Sequence, residues 1–160
     1  MRKTAIVILI CIFAALVTAM QHSDESTYDR EAIEKAVLKV NADIVQAGNS
    51  LDADKFFAYI LDSDKGLIIQ DGTLFKTRQE AYDAIKQGFQ GISSLARSFD
   101  QTYVTVVSPQ CAVLTGTGKS TTTLNDGRTF SGPFAVSMIF VLKDGQWRLL
   151  QGHYSSPNAL

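Results

Sequence analysis

Four aspartates, two tyrosines and one histidine in this chain could take part in proton transfer. A carboxylate that is held among apolar side chains has its charged form disfavoured, so that its pKa rises toward neutrality and it can serve as a general acid or base. A neighbouring imidazole or phenol can then donate a hydrogen bond to a developing oxyanion. The candidate acids are Asp62, Asp64, Asp71 and Asp100, and the candidate donors are Tyr59, Tyr103 and His153.

Each candidate also has a plain structural interpretation. Asp71 stands in an Asp-Gly turn, Asp62 and Asp64 fall in a loop, and Asp100 falls in a strand pattern where it could face water. His153, one of two histidines in the chain, could be a wall residue that is bonded to a backbone carbonyl. If the chain is a catalyst, we expect His153, Asp62 and Asp71 to be its catalytic residues.

The segment that contains His153 is the best candidate for the wall of a pocket. Residues 146–155 follow an Asp-Gly turn and have the pattern of a strand. Because side chains alternate with period two, one face should carry Trp147, Leu149, Gln151, His153 and Ser155, and this face changes from large and apolar to polar. The predicted ligand-binding residues are Tyr59, Gln70, Tyr103, Trp147 and His153.

One segment imitates a phosphate-binding loop without meeting its requirements. Residues 116–121 read Gly-Thr-Gly-Lys-Ser-Thr, but the first glycine of such a loop would stand where the chain has Val113. The loop must also open into a helix, whereas Thr122-Thr123-Leu124 and an Asn-Asp-Gly turn follow. We therefore interpret the segment as a sheet strand and exclude nucleotide binding there.

Composition argues against a metal, a cofactor and a nucleic-acid partner. The chain has two cysteines and two histidines, of which Cys11 and His22 fall in the N-terminal region, so no His/Cys cluster can form in the rest. The formal net charge is −1, which is not the strongly basic balance of a nucleic-acid-binding surface. We expect no metal and no cofactor.

The N-terminus has the three parts of a secretory signal peptide. Arg2 and Lys3 form a basic start, residues 5–17 form an apolar run, and small residues precede a predicted cut after Ala19. The run is shorter than the ~20 residues that a spanning helix needs, so a retained membrane anchor is the weaker alternative. We predict a signal peptide at 1–19, a flexible tail at 20–28, and one secreted or periplasmic domain at 29–157 with no membrane contact after cleavage.

Three helices should open this domain. The first begins at Asp29 and ends near Gly48, and the second is capped by Ser50 or Asp52. Thr77 and Glu80 form a capping box for the third. The apolar positions of the first and third helices are Ile33, Val37, Val40, Ile44, and Ala81, Ile85, Phe89, Ile92.

Strands follow the helices. A short hairpin is expected around Asp71-Gly72, and long strands over residues 98–107, 111–124, 129–142 and 146–155, joined by short turns that make neighbours antiparallel. The predicted architecture is α+β, with three helices packed on a curved antiparallel sheet that wraps them as a cone. The third long strand is apolar on both faces, which favours a partner subunit against the outer face.

Three local motifs resemble the nuclear-transport-factor-2-like superfamily, in its SnoaL-like branch. They are Asp71-Gly72 followed by Thr77-Arg78-Gln79-Glu80-Ala81, then Asn125-Asp126-Gly127-Arg128, and then Trp147 with His153-Tyr154-Ser155. The resemblance implies a cone-shaped, cystatin-like fold that is usually a homodimer through the outer sheet face. The superfamily contains isomerases, cyclases and dehydratases as well as members without catalysis.

The acids of those enzymes do not carry over. The isomerase base belongs on the strand after the second helix, where this chain has Leu67-Ile68-Ile69-Gln70, and Gln70 cannot act as a base. We therefore predict an exported domain that binds a small, largely apolar ligand in its cone. The alternatives are an acid/base isomerase, cyclase or dehydratase in the same pocket, and a non-catalytic dimeric interaction module.

Overall fold

The computed structural model describes residues 28–62, 65 and 67–157. The predicted signal peptide, the tail up to residue 27 and the candidate acid Asp64 lie outside the described residues. The helices are α1 (Arg30–Asn49), α2 (Ala53–Ala58) and α3 (Arg78–Gln90). The strands are β1 (Ile68–Gln70), β2 (Thr73–Phe75), β3 (Ile92–Ser108), β4 (Cys111–Leu124), β5 (Thr129–Lys143) and β6 (Gln146–Ser155). In this part of the chain, no helix has both the length and the apolar character needed to cross a membrane.

Side-chain caps begin the three helices of the described residues. Asp29 Oδ1 accepts a hydrogen bond from Ala32 N–H at 2.9 Å, and Asp52 Oδ1 accepts one from Lys55 N–H at 2.9 Å, so that Asp52 rather than Ser50 caps α2. Thr77 Oγ1 accepts from Glu80 N–H at 3.2 Å, as the sequence predicts. The Glu80 carboxylate reaches back to the N–H of the residue before the cap, Lys76, at 2.8 Å.

The third helix is shorter than its apolar stripe predicts. It ends at Gln90, and Ile92 is the first residue of β3 rather than the last apolar position of α3. Strand β4 runs to Leu124, and Ile92 is the residue that pairs with Leu124. The first long strand therefore begins six residues before the predicted Ser98, because the far end of β4 would otherwise have unpaired backbone groups.

The six strands form one curved sheet in the order β2-β1-β6-β5-β4-β3. Neighbours are antiparallel except β1 and β6, which are parallel, so the sheet is mixed where the sequence predicted an antiparallel one. Helix α1 packs along the concave face, and the core lies between them. Its largest fully buried side chains are Phe57, Phe140, Ile60, Leu67, Leu114 and Val37. The α+β architecture is the predicted one.

The segment that imitates a phosphate-binding loop is a strand, as predicted. Gly116 and Gly118 lie in β4 on the concave face, where β3 and β5 carry the rings of Phe99 and Phe134. A Cβ on Gly116 would lie 2.8 Å from the carbonyl oxygen of Gln101, and a Cβ on Gly118 would lie 2.6 Å from the Phe134 ring. The two glycines therefore serve close packing of rings against the strand.

Candidate functional site

A cavity of about 100 Å³ lies between α1 and the concave face of the sheet. Helices α1, α2 and α3 and strands β1, β3, β5 and β6 all contribute to its wall. It adjoins a wider mouth of about 450 Å³, and Gly48, Phe56, Gln70, Ile85, Leu95 and Arg97 border both spaces. The apolar lining of the inner cavity includes Ile44, Phe56, Ile68, Ile85, Phe99, Phe134, Val136 and Met138.

Arg97 brings a cation into this apolar wall. Its guanidinium carbon lies 4.6 Å from the centre of the Tyr154 ring and 5.7 Å from that of Phe134. Its Nε is buried and has no hydrogen-bond partner, and no ion pair to Arg97 occurs among the described residues. The charge is thus stabilised by two aromatic faces, and the terminal nitrogens of the guanidinium are the donors that a ligand in the cavity could use.

Asn49 holds the backbone of Arg97 in place. The Asn49 amide donates to the Arg97 carbonyl oxygen at 3.0 Å and accepts from the Arg97 N–H at 2.8 Å. Strand β3 is at the edge of the sheet. The Asn49 side chain therefore makes the two backbone hydrogen bonds that a further strand would otherwise make with Arg97. This pair of hydrogen bonds ties the helix to β3 at the residue whose side chain enters the cavity.

Asn41 places an unsatisfied acceptor in the same cavity. The residue lies on α1 in line with buried Val37 and Ile44, and only 5% of its surface is exposed. Its Oδ1 is buried and has no hydrogen-bond partner among the residues that the structure describes. An orphaned amide oxygen costs about 1–3 kcal/mol in stability unless something donates to it.

Three aromatic rings form one side of the cavity. Phe99 and Phe134 meet edge to face at 5.2 Å, and Phe134 stacks on Tyr154 at 5.4 Å with 26° between the planes. A bulge in β3 between Phe99 and Gln101 leaves Asp100 unpaired. Because the bulge adds one residue, Phe99 and the later residues Thr102 and Val104 all face inward.

A second bulge changes which residues of β6 face the cavity. Phe140 pairs with Leu149 and Ile139 with Gln151, so that Leu150 is the extra residue. Beyond it the alternation is shifted by one, and the concave face carries Gly152 and Tyr154. The prediction that Gln151, His153 and Ser155 share a face with Trp147 and Leu149 is wrong for this reason.

His153 therefore belongs to the convex face of the sheet. It borders the cavity between Gly152 and Tyr154, but its side chain is exposed, and so is Ser137, its partner in register. Both strand neighbours of His153 face inward, so the register directs its side chain away from the cavity. Tyr103, which is 63% exposed, lies in the same convex row.

The other predicted residues lie in several different places. Gln70 is half-buried and lines both the cavity and its mouth. Tyr59 and Trp147 pack partly buried against the core. Asp62 is exposed, while Asp71 borders the mouth and its Oδ1 accepts hydrogen bonds from Ser156 N–H at 2.8 Å and Ser156 Oγ at 2.9 Å. The described structure does not bring Asp62, Asp71 and His153 to one cavity.

Sequence reasoning missed Asn41, Asn49, Arg97 and Tyr154 as site residues. Two signals were available. Asn41 is a polar residue on an apolar helix stripe, and Arg97 alternates with Leu95 and Phe99 on the apolar face of a strand. A polar or charged side chain in such a position must be satisfied by the fold or used for a ligand.

Among the residues that the structure describes, no three His, Cys, Asp or Glu side chains lie close enough together to hold a metal ion. The polar side chains that line the cavity are instead amides, one guanidinium and the Tyr154 phenol, which donate and accept hydrogen bonds, while His153 borders the cavity from the convex face. The arrangement can thus orient a small molecule inside an apolar space.

The fold is shared with several solved structures. A putative dehydratase of the NTF2-like family from Streptomyces avermitilis has a TM-score of 0.72 at 15% identity, over 81% of this chain and 99% of that one. An NTF2-like superfamily protein from Salmonella enterica has a TM-score of 0.75 at 14% identity, over 81% and 94%. A putative scytalone dehydratase from Novosphingobium aromaticivorans has a TM-score of 0.69 at 12% identity, over 79% and 85%.

These likenesses show the fold. A comparison with curated protein sequences found no match. The profile of the SnoaL-like domain matches residues 37–159, which is most of the chain and includes every element from α2 to β6. The chain therefore belongs to the SnoaL-like domain family, and it shares its fold with NTF2-like proteins.

Proposed function

We propose that this SnoaL-like domain binds a small, largely apolar molecule between α1 and the concave face of the sheet. The observation that carries the proposal is the cavity itself, which has an apolar wall whose polar groups include Asn41, Asn49, Gln70, Arg97 and Tyr154. Ligand sites in proteins have this composition, in which apolar surface supplies affinity and a few polar groups supply orientation.

The size of the space limits the ligand. The inner cavity of about 100 Å³ is smaller than the ~300–1,000 Å³ of a drug-sized site. A ligand of more than a few heavy atoms must therefore extend into the mouth, past Phe56, Ile85 and Arg97. We expect an elongated molecule with one end in the cavity and the other near the solvent.

A cavity-filling variant tests the proposal. Ile85 is half-buried on α3 and borders both the cavity and the mouth, so Ile85→Trp should obstruct both. Gln87, two residues later on the same helix, is exposed, and Gln87→Trp is the matched control. Calorimetry with apolar ligands should show binding to the wild type and to the control, and at least ~10-fold weaker binding to Ile85→Trp. Equal affinity in all three proteins would contradict the proposal.

Catalysis in the same pocket is the alternative. Two of the structural relatives are called dehydratases, which favours an acid/base reaction such as dehydration, isomerisation or cyclisation. Asp71 is the candidate acid that borders the mouth. Asp71→Asn would then abolish turnover of a bound substrate without loss of binding, and retained turnover would refute a catalytic role for Asp71.

We also propose that the convex face of the sheet joins two copies of this chain. The central rows on this face, Tyr103-Thr115-Ser137-His153 and Thr105-Val113-Ile139-Gln151, contain no Asp, Glu, Lys or Arg. A surface that meets its own copy must avoid like charges, and these rows satisfy that condition. Light scattering should give the mass of a dimer at micromolar concentration, and the mass of a monomer would contradict the proposal.

Such a pairing would also suit the third hypothesis, a non-catalytic dimeric module. In that case the protein would form the dimer and the cavity would bind no ligand. The Ile85→Trp experiment and the mass measurement together separate this hypothesis from ligand binding.

Export is a proposal that depends on the sequence of residues 1–19. The basic start, the apolar run and the small residues before Ala19 support cleavage by a signal peptidase. The mass of the intact protein after expression of the full chain in an exporting host tests this. The expected mass is that of a mature chain that begins at Met20. An uncleaved chain found in the membrane fraction would contradict the proposal.

A further inference from the structure

We propose that the ligand of this cavity is an amphipathic carboxylate, whose anionic head group pairs with the guanidinium of Arg97. This inference depends on the proposed ligand-binding function and names its chemical class. It starts from a charge that the described part of the fold leaves without a counterion.

Arg97 is the one residue with a formal charge among the described residues that line the inner cavity. Its side chain is half-buried over Tyr154 and Phe134, and its Nε is buried without a partner. Keeping a guanidinium among apolar side chains is unfavourable because the charge loses its hydration. A bound anion would offset this cost, because charge-assisted hydrogen bonds to arginine are strong and can be bidentate.

The acid that borders the mouth does not supply that anion. Asp71 borders the mouth together with Arg97, but Ser156 donates two hydrogen bonds to its carboxylate, and no ion pair joins it to Arg97. The inner cavity has no acidic side chain among its described lining residues. The described lining of the inner cavity thus offers the Arg97 guanidinium as a cationic donor, and no carboxylate there pairs with it.

The surroundings favour one negative charge over two. A single guanidinium can neutralise a carboxylate, whereas a phosphate monoester would keep an uncompensated charge beside Phe99, Phe134 and Val136. The apolar wall therefore matches a monoanion with a hydrocarbon or aromatic body. The edge of the Phe99 ring and the face of Phe134 are suited to contact such a body.

Asn41 adds a second, independent point of recognition. Its Oδ1 is an unpartnered acceptor in a residue that is 95% buried, and it borders the same cavity as Arg97. A hydroxyl or N–H on the body of the ligand would satisfy it. The expected ligand is therefore a hydroxylated or amino-substituted apolar monocarboxylate, and not a plain hydrocarbon.

Matched pairs of small molecules test the head group. Octanoate and octanamide share a chain, as do phenylpropanoate and phenylpropanamide, and within each pair a neutral amide of similar size replaces the carboxylate. Calorimetry on the purified protein at neutral pH should show each carboxylate binding about tenfold or more tightly than its amide, the size expected of a desolvated charge pair. Octyl phosphate should bind more weakly than octanoate.

Variants assign the difference to Arg97. Arg97→Gln should remove the preference for carboxylates while the amides still bind. Arg148→Gln is the matched control, because Arg148 also lies on the sheet but pairs with Val141 on the convex side. If Arg97→Gln fails to fold, Arg97→Lys can be tested instead. It keeps the charge but loses the paired N–H donors of the guanidinium, so it should retain only part of the preference for carboxylates over amides.

The outcomes separate the two proposals. Equal binding of acid and amide to the wild type would overturn the carboxylate inference and leave apolar ligand binding standing. Tighter binding of octyl phosphate would overturn the choice of a monoanion. Binding of neither member of either pair would count against both proposals.

Discussion

At the scale of single residues, Asn41 and Asn49 show how one residue type has two different roles on the same helix. Asn49 has both ends of its amide bonded to the backbone of Arg97. Asn41, two turns earlier, has its oxygen buried without a donor. The first stabilises the fold, and the second lowers its stability in the absence of a ligand.

This contrast predicts opposite effects of the same substitution. Asn41→Leu should raise the free energy of unfolding by about 1 kcal/mol, because it removes an unsatisfied buried acceptor from an apolar stripe. Asn49→Leu should lower it by about 1–2 kcal/mol through the loss of two hydrogen bonds. Urea denaturation of the free protein measures both. A loss of stability in Asn41→Leu would show that the Asn41 amide is satisfied in the folded chain.

At the scale of elements, the cavity depends on how closely β3, β4 and β5 approach one another. The rings of Phe99 and Phe134 lie against the backbone of β4, where Gly116 and Gly118 leave room for them. These glycines stand in extended strand, so they are present for space and not for an unusual backbone conformation. The aromatic side of the cavity thus depends on two glycines, because they leave space for the rings.

Gly118→Ala should therefore destabilise the domain by ~1–3 kcal/mol, since the added Cβ would meet both the Ser98 carbonyl oxygen and the Phe134 ring. Gly132→Ala on β5 is the matched control, because an added Cβ there meets nothing within 4 Å. Thermal denaturation of the two variants measures the difference. If both variants have the wild-type Tm, the proposed packing of Phe134 on β4 is incorrect.

At the scale of the whole molecule, the sheet offers two faces with different roles. The concave face carries the cavity, and the convex face carries Tyr103 and His153 in one row with Thr115 and Ser137. His153 was expected to line the pocket, but the bulge at Leu150 places its side chain on the convex face. A histidine that faces outward belongs to the proposed contact between copies.

A charge on the convex face should dissociate the dimer without affecting the cavity. Tyr103→Lys places a cation opposite its own copy, so the equilibrium should shift toward monomer by about tenfold or more in the dissociation constant. Ligand affinity should not change. Sedimentation equilibrium and calorimetry measure the two effects, with Gln87→Lys on α3 as the control. A dimer of unchanged strength would place the interface elsewhere.

Much of the fold could be predicted from local patterns. The caps Asp29, Asp52 and Thr77 mark where the helices begin, and the Asp-Gly turn at Asp144 separates β5 from β6. Period-two alternation places Phe134, Met138 and Phe140 on one face of β5, and all three are buried. These features depend on residues within a few positions of each other, and such interactions can be recognised in the sequence.

The candidate site could not be predicted in the same way. The parallel pairing of β1 with β6 joins residues some eighty positions apart, and it brings Gln70 beside Tyr154. The bulges at Asp100 and Leu150 arise where a strand must follow the curvature of its neighbour, and each reverses the faces of the residues that directly follow it. The sequence by itself therefore determined the helices, strands and family of this protein. The tertiary structure decided which side chains meet in the cavity, because a shift of one residue in register sends a side chain to the opposite face of a sheet.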